Sequence, residues 1–196
     1  ARLRAMVQED FPELDASEME VQAGALWPYT RGILMNSFEG ADLDAWQVDQ
    51  GTLTPYRSER LWINGNMERV TYAEGFTEGR GAALWELGPG GQVATLSGAV
   101  AWDPMLASRA SHVAVDVLNR GTGDVLVTLR ALGASAGVLA EQTYCLHHWA
   151  NRRLLLPLPQ TVRDGGTLKL QLSVGEHSEP VRLVLDNLRV FLQTGA

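Results

Sequence analysis

Ser111-His-Val-Ala-Val-Asp-Val-Leu118, followed after Asn119-Arg-Gly-Thr-Gly-Asp124 by Val125-Leu-Val-Thr-Leu-Arg130, decides the fold class. Val113, Val115 and Val117 share one face of an extended chain, and Ala114 and Asp116 take the other, as a half-buried strand requires. Val125, Val127 and Leu129 repeat the pattern with Thr128 and Arg130 facing out. The glycine-containing loop between the two runs reads as a hairpin connection. Downstream, Leu168, Leu170, Leu172 and Val174 alternate with Lys169, Gln171 and Ser173 after Asp164-Gly-Gly166, and Val181 to Phe191 supplies a last strand. That pair reads as a second hairpin.

Working outward, shorter strands are expected near Ile33–Phe38, Glu68–Tyr72, Ala82–Leu87, Gln92–Trp102, Val138–Cys145 and Arg152–Leu156. Roughly ten strands with turn signals about every 8–12 residues indicate an antiparallel sandwich or barrel. The last strand slips phase: Val181, Leu183 and Leu185 hold one register, and Leu188, Val190 and Leu192 the opposite one. A β-bulge at Asp186-Asn187 accounts for the slip and would turn Asp186 out of the solvent pattern.

Residues 1–30 behave differently. They carry six acids (Glu9, Asp10, Glu13, Asp15, Glu18, Glu20), end in Leu26-Trp-Pro-Tyr29 and show no period-two alternation. A short helix from Asp15 to Ala25, capped by Asp15 or Ser17, is the local expectation. The domain reading is an N-terminal extension, 1–30, and a β-domain, 31–196.

Composition narrows the function classes. The chain has 196 residues, 45% hydrophobic and 20% charged, which excludes intrinsic disorder. Sixteen Lys plus Arg against 23 Asp plus Glu leave a net charge of −7 and argue against a nucleic-acid partner. Apolar runs of about five residues fall far short of the ~20 that a transmembrane helix needs. The single cysteine, Cys145, excludes an intramolecular disulfide. The chain opens with Ala1 and not Met, as expected where a signal peptide has been removed or where the sequence has been cut from a longer one.

The ordered segments resemble the jelly-roll carbohydrate-binding modules of the galactose-binding-domain-like superfamily. Asn36-Ser-Phe-Glu-Gly40 followed by Asp42-Leu-Asp-Ala-Trp46 is similar to the family's opening strand and acidic turn, and Gly79-Arg-Gly-Ala-Ala-Leu84 to its glycine-led strand. Ser97-Gly-Ala-Val100 and residues 111–132 match its centre. Leu185-Asp-Asn-Leu-Arg-Val190 is similar to its final strand with a buried Asp. The resemblance covers residues 32–192 and implies an all-β, antiparallel jelly-roll β-sandwich. It also implies a structural Ca²⁺ held by Glu39 and Asp186, with Asp42 and Asp44 the only further carboxylates nearby. Hard oxygen donors of this kind suit calcium.

No catalytic motif is present: G-x-S-x-G, H-E-x-x-H, the phosphate-cradling P-loop and the dinucleotide fingerprint are all missing, so no enzyme activity is expected. His147 and His148 beside Cys145 invite a transition metal, but adjacent strand residues point to opposite faces. Cys145 reads as a buried structural thiol. Aromatic residues are the remaining lead, because sugars stack on Trp and Tyr. Trp46, Trp85 and Trp102 read as core. Trp62, near Arg60 and Asn64, and Trp149, near His148 and Asn151, lie in polar surroundings. The candidate ligand-binding residues are therefore Trp62, Trp149, Tyr56, Tyr72, Arg60 and Asn151.

The resulting expectation is a non-catalytic extracellular or periplasmic module binding a polysaccharide or glycan. The alternative is a structural subunit of a fibre, surface layer or complex, docking on neighbouring subunits through residues 1–30. The fold alone separates neither.

Overall fold

The computed structural model describes residues 33–56, 81–101, 103–133, 136–163 and 167–192, with the backbone alone for 61–63, 69–71 and 162–163. In chain order the strands are β1 (Ile33–Asn36), β2 (Trp46–Val48), β3 (Thr52–Tyr56), β4 (Leu61–Ile63), β5 (Arg69–Thr71), β6 (Ala82–Leu87) and β7 (Ala94–Ala101). They continue with β8 (Ala110–Asn119), β9 (Val125–Leu132), β10 (Val138–Leu146), β11 (Asn151–Pro157), β12 (Thr167–Val174) and β13 (Val181–Leu192). A 3₁₀ turn spans Gly40–Ala45, and two short helices, α1 (Pro104–Arg109) and α2 (Gln160–Arg163), sit in connections. Asp103 caps α1 by accepting the Met105 N–H, with Pro104 at the first helical position.

Two sheets carry the fold. One runs β11-β8-β13-β6-β3 with β1 added to β13; the other runs β10-β9-β12-β7-β2. β4 and β5 form a separate antiparallel ladder. Facing side chains of the sheets interdigitate as one core. Trp85, Val115, Leu154, Leu183 and Leu185 come from the first sheet, and Leu96, Val127, Leu129, Leu170 and Leu172 from the second. This is a jelly-roll β-sandwich.

The two expected hairpins are corrected. β8 pairs with β11 and β13, and β9 pairs with β10 and β12, so the chain crosses between sheets at residues 120–124. β12 and β13 are likewise in different sheets. Period two places a side chain inside or outside, but it is blind to which sheet a strand joins, and a five- or six-residue loop spans the ~10 Å between layers. The half-buried reading of β8 is corrected as well. Ala114, Asp116 and Leu118, on its outer face, are as buried as Val113, Val115 and Val117.

The opening motif closes on itself. Asn36 Oδ1 accepts the Phe38 N–H and the Trp46 indole N–H, and the Phe38 ring stacks on Trp46 with centroids 4.8 Å apart. Trp46 lies over Gly98, where a Cβ would meet the ring at 2.5 Å, so that strand position admits only glycine. The expected bulge is present. The β13–β8 register shifts between Asp186 and Arg189, and Asn187 takes a φ of 46°. Residues 1–30, with the expected helix, and Trp102 lie outside the described residues.

Candidate functional site

Three connections meet at one end of the sandwich, and Asn119, 1% exposed at the end of β8, ties two of them together. Its amide nitrogen donates to the carbonyls of Gly123 (2.8 Å) and Leu146 (3.0 Å), and its Oδ1 accepts the Gly121 N–H. Its backbone N–H donates to Ala150 O, and its carbonyl accepts the Trp149 N–H at 2.8 Å. From the third connection, Glu179 accepts a 2.6 Å hydrogen bond from Thr122 Oγ1. A buried amide with this many partners rigidifies the loops it joins. Beside it opens a cleft of about 270 Å³ lined by Asn119, Gly121, Asp124, Glu176, His177 and Glu179.

The second connection is the turn His147–Ala150, closed by the Ala150 N–H on His147 O. It holds Trp149 at φ 61° with the residue 41% exposed. A bulky side chain in the left-handed region costs roughly 1–2 kcal/mol, and such outliers gather at functional sites. The Arg120 guanidinium lies 5.1 Å from the Trp149 ring centroid and 5.4 Å from that of Tyr56, and it also donates to the Tyr56 hydroxyl. Tyr56 in turn packs on a small buried cluster of Ala82, Leu84, Leu118 and Val184 on the outer face of the first sheet. His148 meets Trp149 edge-on at 5.7 Å, and its Nδ1 hydrogen-bonds the Gly121 carbonyl. The result is a cluster in which the guanidinium lies between the Trp149 ring and the hydroxyl edge of Tyr56. It offers one exposed indole and a planar fork of N–H donors, the two features that sugar recognition uses.

Two of the candidate residues, Trp149 and Tyr56, are thus brought together through Arg120, which the sequence reading missed. Asn151 opens β11 two residues beyond Trp149 and is exposed. Trp62 lies in β4 opposite Val70, with its side chain outside the described residues, as are Arg60 and Tyr72. Cys145 is corrected: it is exposed, because β10 is an edge strand whose outward residues face solvent.

The outer face of the five-stranded sheet offers a different surface. Gln47, Ser97, Gln171, Arg130 and Glu141 stand in one row across all five strands. Arg130 donates to Glu141, Gln171 and Ser173, and Gln171 to Ser97. Among the described residues this face carries no aromatic side chain, so it has hydrogen-bonding groups and no ring on which a sugar stacks.

The two expected calcium ligands sit as follows. Glu39 Oε1 accepts the Gly81 N–H at 3.0 Å. Asp186, 1% exposed, is the cross-strand partner of Asp116. Leu185 pairs with Ala83, so the ladder puts the Gly81–Glu39 bond at the end of β6 that meets the Asp186–Asn187 bulge. Asp42 is committed elsewhere, its Oδ2 accepting from the Ser37 N–H and hydroxyl at 2.8 Å each.

No protein-family model matches the sequence, and no curated protein matches it. Solved structures do. An exo-β-agarase superposes with a TM-score of 0.60 at 10% identity over 83% of this chain and 25% of that one. The module TmCBM61, solved in complex with β-1,4-galactotriose, gives 0.51 at 15% identity over 83% and 99%. A carbohydrate-binding module specific for non-crystalline cellulose, CBM28, gives 0.51 at 14% over 82% and 94%. The chain spans a quarter of the agarase's length and nearly the whole of the two modules. From these superpositions and its own two-sheet topology, the chain has the jelly-roll β-sandwich fold of carbohydrate-binding modules.

Proposed function

We propose that the chain is a non-catalytic carbohydrate-binding module, placed outside the cytoplasm, that takes a polysaccharide at the loop end through Trp149, Arg120 and Tyr56. One observation supports this most: an exposed tryptophan is held at positive φ against a guanidinium that a second aromatic also flanks. The indole stacks a pyranose ring, and Arg120 donates to its hydroxyls. The rival assembly role rests on residues 1–30, which lie outside the described residues.

The test is binding of the purified chain to soluble β-1,4-galactan and non-crystalline cellulose, followed by calorimetry on the better ligand. Trp149→Ala is expected to weaken binding at least about tenfold, equivalent to ~1.4 kcal/mol. Trp149→Gly is expected to lose binding equally while keeping stability within about 1 kcal/mol, since glycine adopts positive φ without strain and offsets the lost packing. Undiminished binding by Trp149→Ala would sink the loop-end site and direct attention to Arg130 and Gln171.

A structural Ca²⁺ on Glu39 and Asp186 is a separate part of the proposal. The donor chemistry fits, since both side chains offer hard carboxylate oxygens, Glu39 against the start of β6 and Asp186 at the β13 bulge beside it. Calcium at a hundredfold excess over Kd would add about 2.7 kcal/mol, and so raise Tm on the order of 5–10 °C over the EDTA-treated chain. Glu39→Gln combined with Asp186→Asn should erase that difference. Equal melting with calcium and with EDTA would dismiss the site.

A further inference from the structure

β10 ends with Cys145 near its tip, and His147 follows two residues on, so the two side chains leave the chain on the same side. Asp124, just before β9, comes up beside them: its Oδ2 lies 2.8 Å from His147 Nδ1, and its Oδ1 accepts the His148 N–H. The Cys145 sulfur, a His147 ring nitrogen and an Asp124 oxygen all lie within 4.8 Å of one another. It is the one such trio among the described residues, and all three members are exposed.

We propose that Cys145, His147 and Asp124 bind a borderline transition-metal ion of the Zn²⁺ class, with the fourth coordination position open to solvent. The donor set decides the class: a thiolate and an imidazole favour Zn²⁺ over Ca²⁺ or Mg²⁺, which take oxygen ligands. The size also agrees. Tetrahedral Zn²⁺ with bonds of about 2.0–2.3 Å needs ligand atoms about 3–4 Å apart, and the trio reaches that by small side-chain rotations. The metal enters between the imidazole and the carboxylate: His147 shifts to its Nε2–H tautomer, so that the proton Nδ1 shares with Asp124 leaves that nitrogen, and Nδ1 and Oδ2 each form a bond to the metal. The Cys145 thiol gives up its proton to solvent as the sulfur–metal bond forms. Adjacent His147 and His148 could not share an ion, so the arrangement depends on Asp124 arriving from another connection.

The position has a consequence for the loop end. His147 opens the turn that presents Trp149, and Asp124 already holds the His148 N–H, so a bound metal would clamp that turn. This consequence rests on the carbohydrate-binding reading; metal binding itself does not.

The test is titration of the full chain, kept reduced with a phosphine, with Co²⁺ as the spectroscopic stand-in. The expected result is one equivalent of Co²⁺ bound, with a thiolate-to-cobalt charge-transfer band in the near ultraviolet, both abolished by Zn²⁺. Cys145→Ala should remove the band and weaken binding by more than about 100-fold, beyond the 10–100-fold typical of a lost outer-sphere partner. His147→Ala and Asp124→Asn should each weaken it with the band retained at saturation. Both Cys145 and His147 are exposed, so these variants keep the fold, and a thermal melt verifies that. Absence of the band, or unchanged Co²⁺ affinity in Cys145→Ala, would overturn the site. Because no glycan is present, failure here leaves the Trp149 experiment standing, and failure there leaves this one standing.

Discussion

Trp85→Ala is expected to cost the sandwich about 3–5 kcal/mol, the range for emptying a fully buried large side chain. Trp85 is 0% exposed in the middle of the first sheet, flanked across the strands by Leu53 on β3 and Leu183 on β13. It also fixes the turn between β2 and β3, because its indole N–H donates to the Gln50 carbonyl at 3.1 Å. Truncation removes both the ring volume and that hydrogen bond, and β3, which among the described residues pairs with β6 alone, loses its main anchor. With roughly 2–4 °C per kcal/mol at this chain length, Tm should fall on the order of 6–20 °C. Trp85→Phe keeps most of the volume and loses only the N–H, so it should cost well under half as much. Urea unfolding of the three proteins decides the matter. A loss below about 1 kcal/mol in Trp85→Ala would mean that the core collapses into the void and that Trp85 does not organise this edge.

The effect of Trp85 was legible in the sequence because it rests on periodicity, and periodicity served well wherever burial follows it. β6, β9, β12 and β13 appear within a residue or two of their expected limits, and the phase slip in β13 located the bulge. β2 and β3 were missed for different reasons: β2 has three residues, and β3 carries Pro55 with exposed Thr52 and Thr54, as an edge strand tolerates. Pairing was misread because alternation carries no information about which sheet a strand joins. At the candidate site Trp149 was visible as a tryptophan among polar neighbours, whereas Arg120 is one arginine of fifteen and gains its role only when the loop folds it between the Trp149 ring and the hydroxyl edge of Tyr56. Asp124 is invisible as a partner of Cys145 for the same reason, since its approach depends on the crossing between sheets.

Arg153→Met is the second large effect, expected at about 3–5 kcal/mol because it breaks a buried ion pair from one side. Arg153 on β11 and Asp116 on β8 are cross-strand partners, joined by two bonds, Nε to Oδ1 at 2.5 Å and Nη2 to Oδ2 at 2.8 Å. The Asp116 side chain is 5% exposed, and on its other flank its β13 partner is a second buried acid, Asp186. Withdrawing the guanidinium therefore removes both hydrogen bonds of this pair from a carboxylate that water scarcely reaches, on a strand position next to a second buried acid. Asp116→Leu, which leaves the 20% exposed arginine able to reach water, should cost less than Arg153→Met. The double variant Arg153→Met/Asp116→Leu should recover most of the loss, because an apolar pair of similar volume replaces a charged one at little net cost. The coupling energy from this cycle is the quantity to measure, and additive single effects would show that the bidentate pair is not what holds β8 against β11. These two strands lead directly into the Asn119 and Trp149 connections. If the pair sets their register, Arg153→Met should also weaken glycan binding at temperatures where the variant is still folded, and the double variant should restore it.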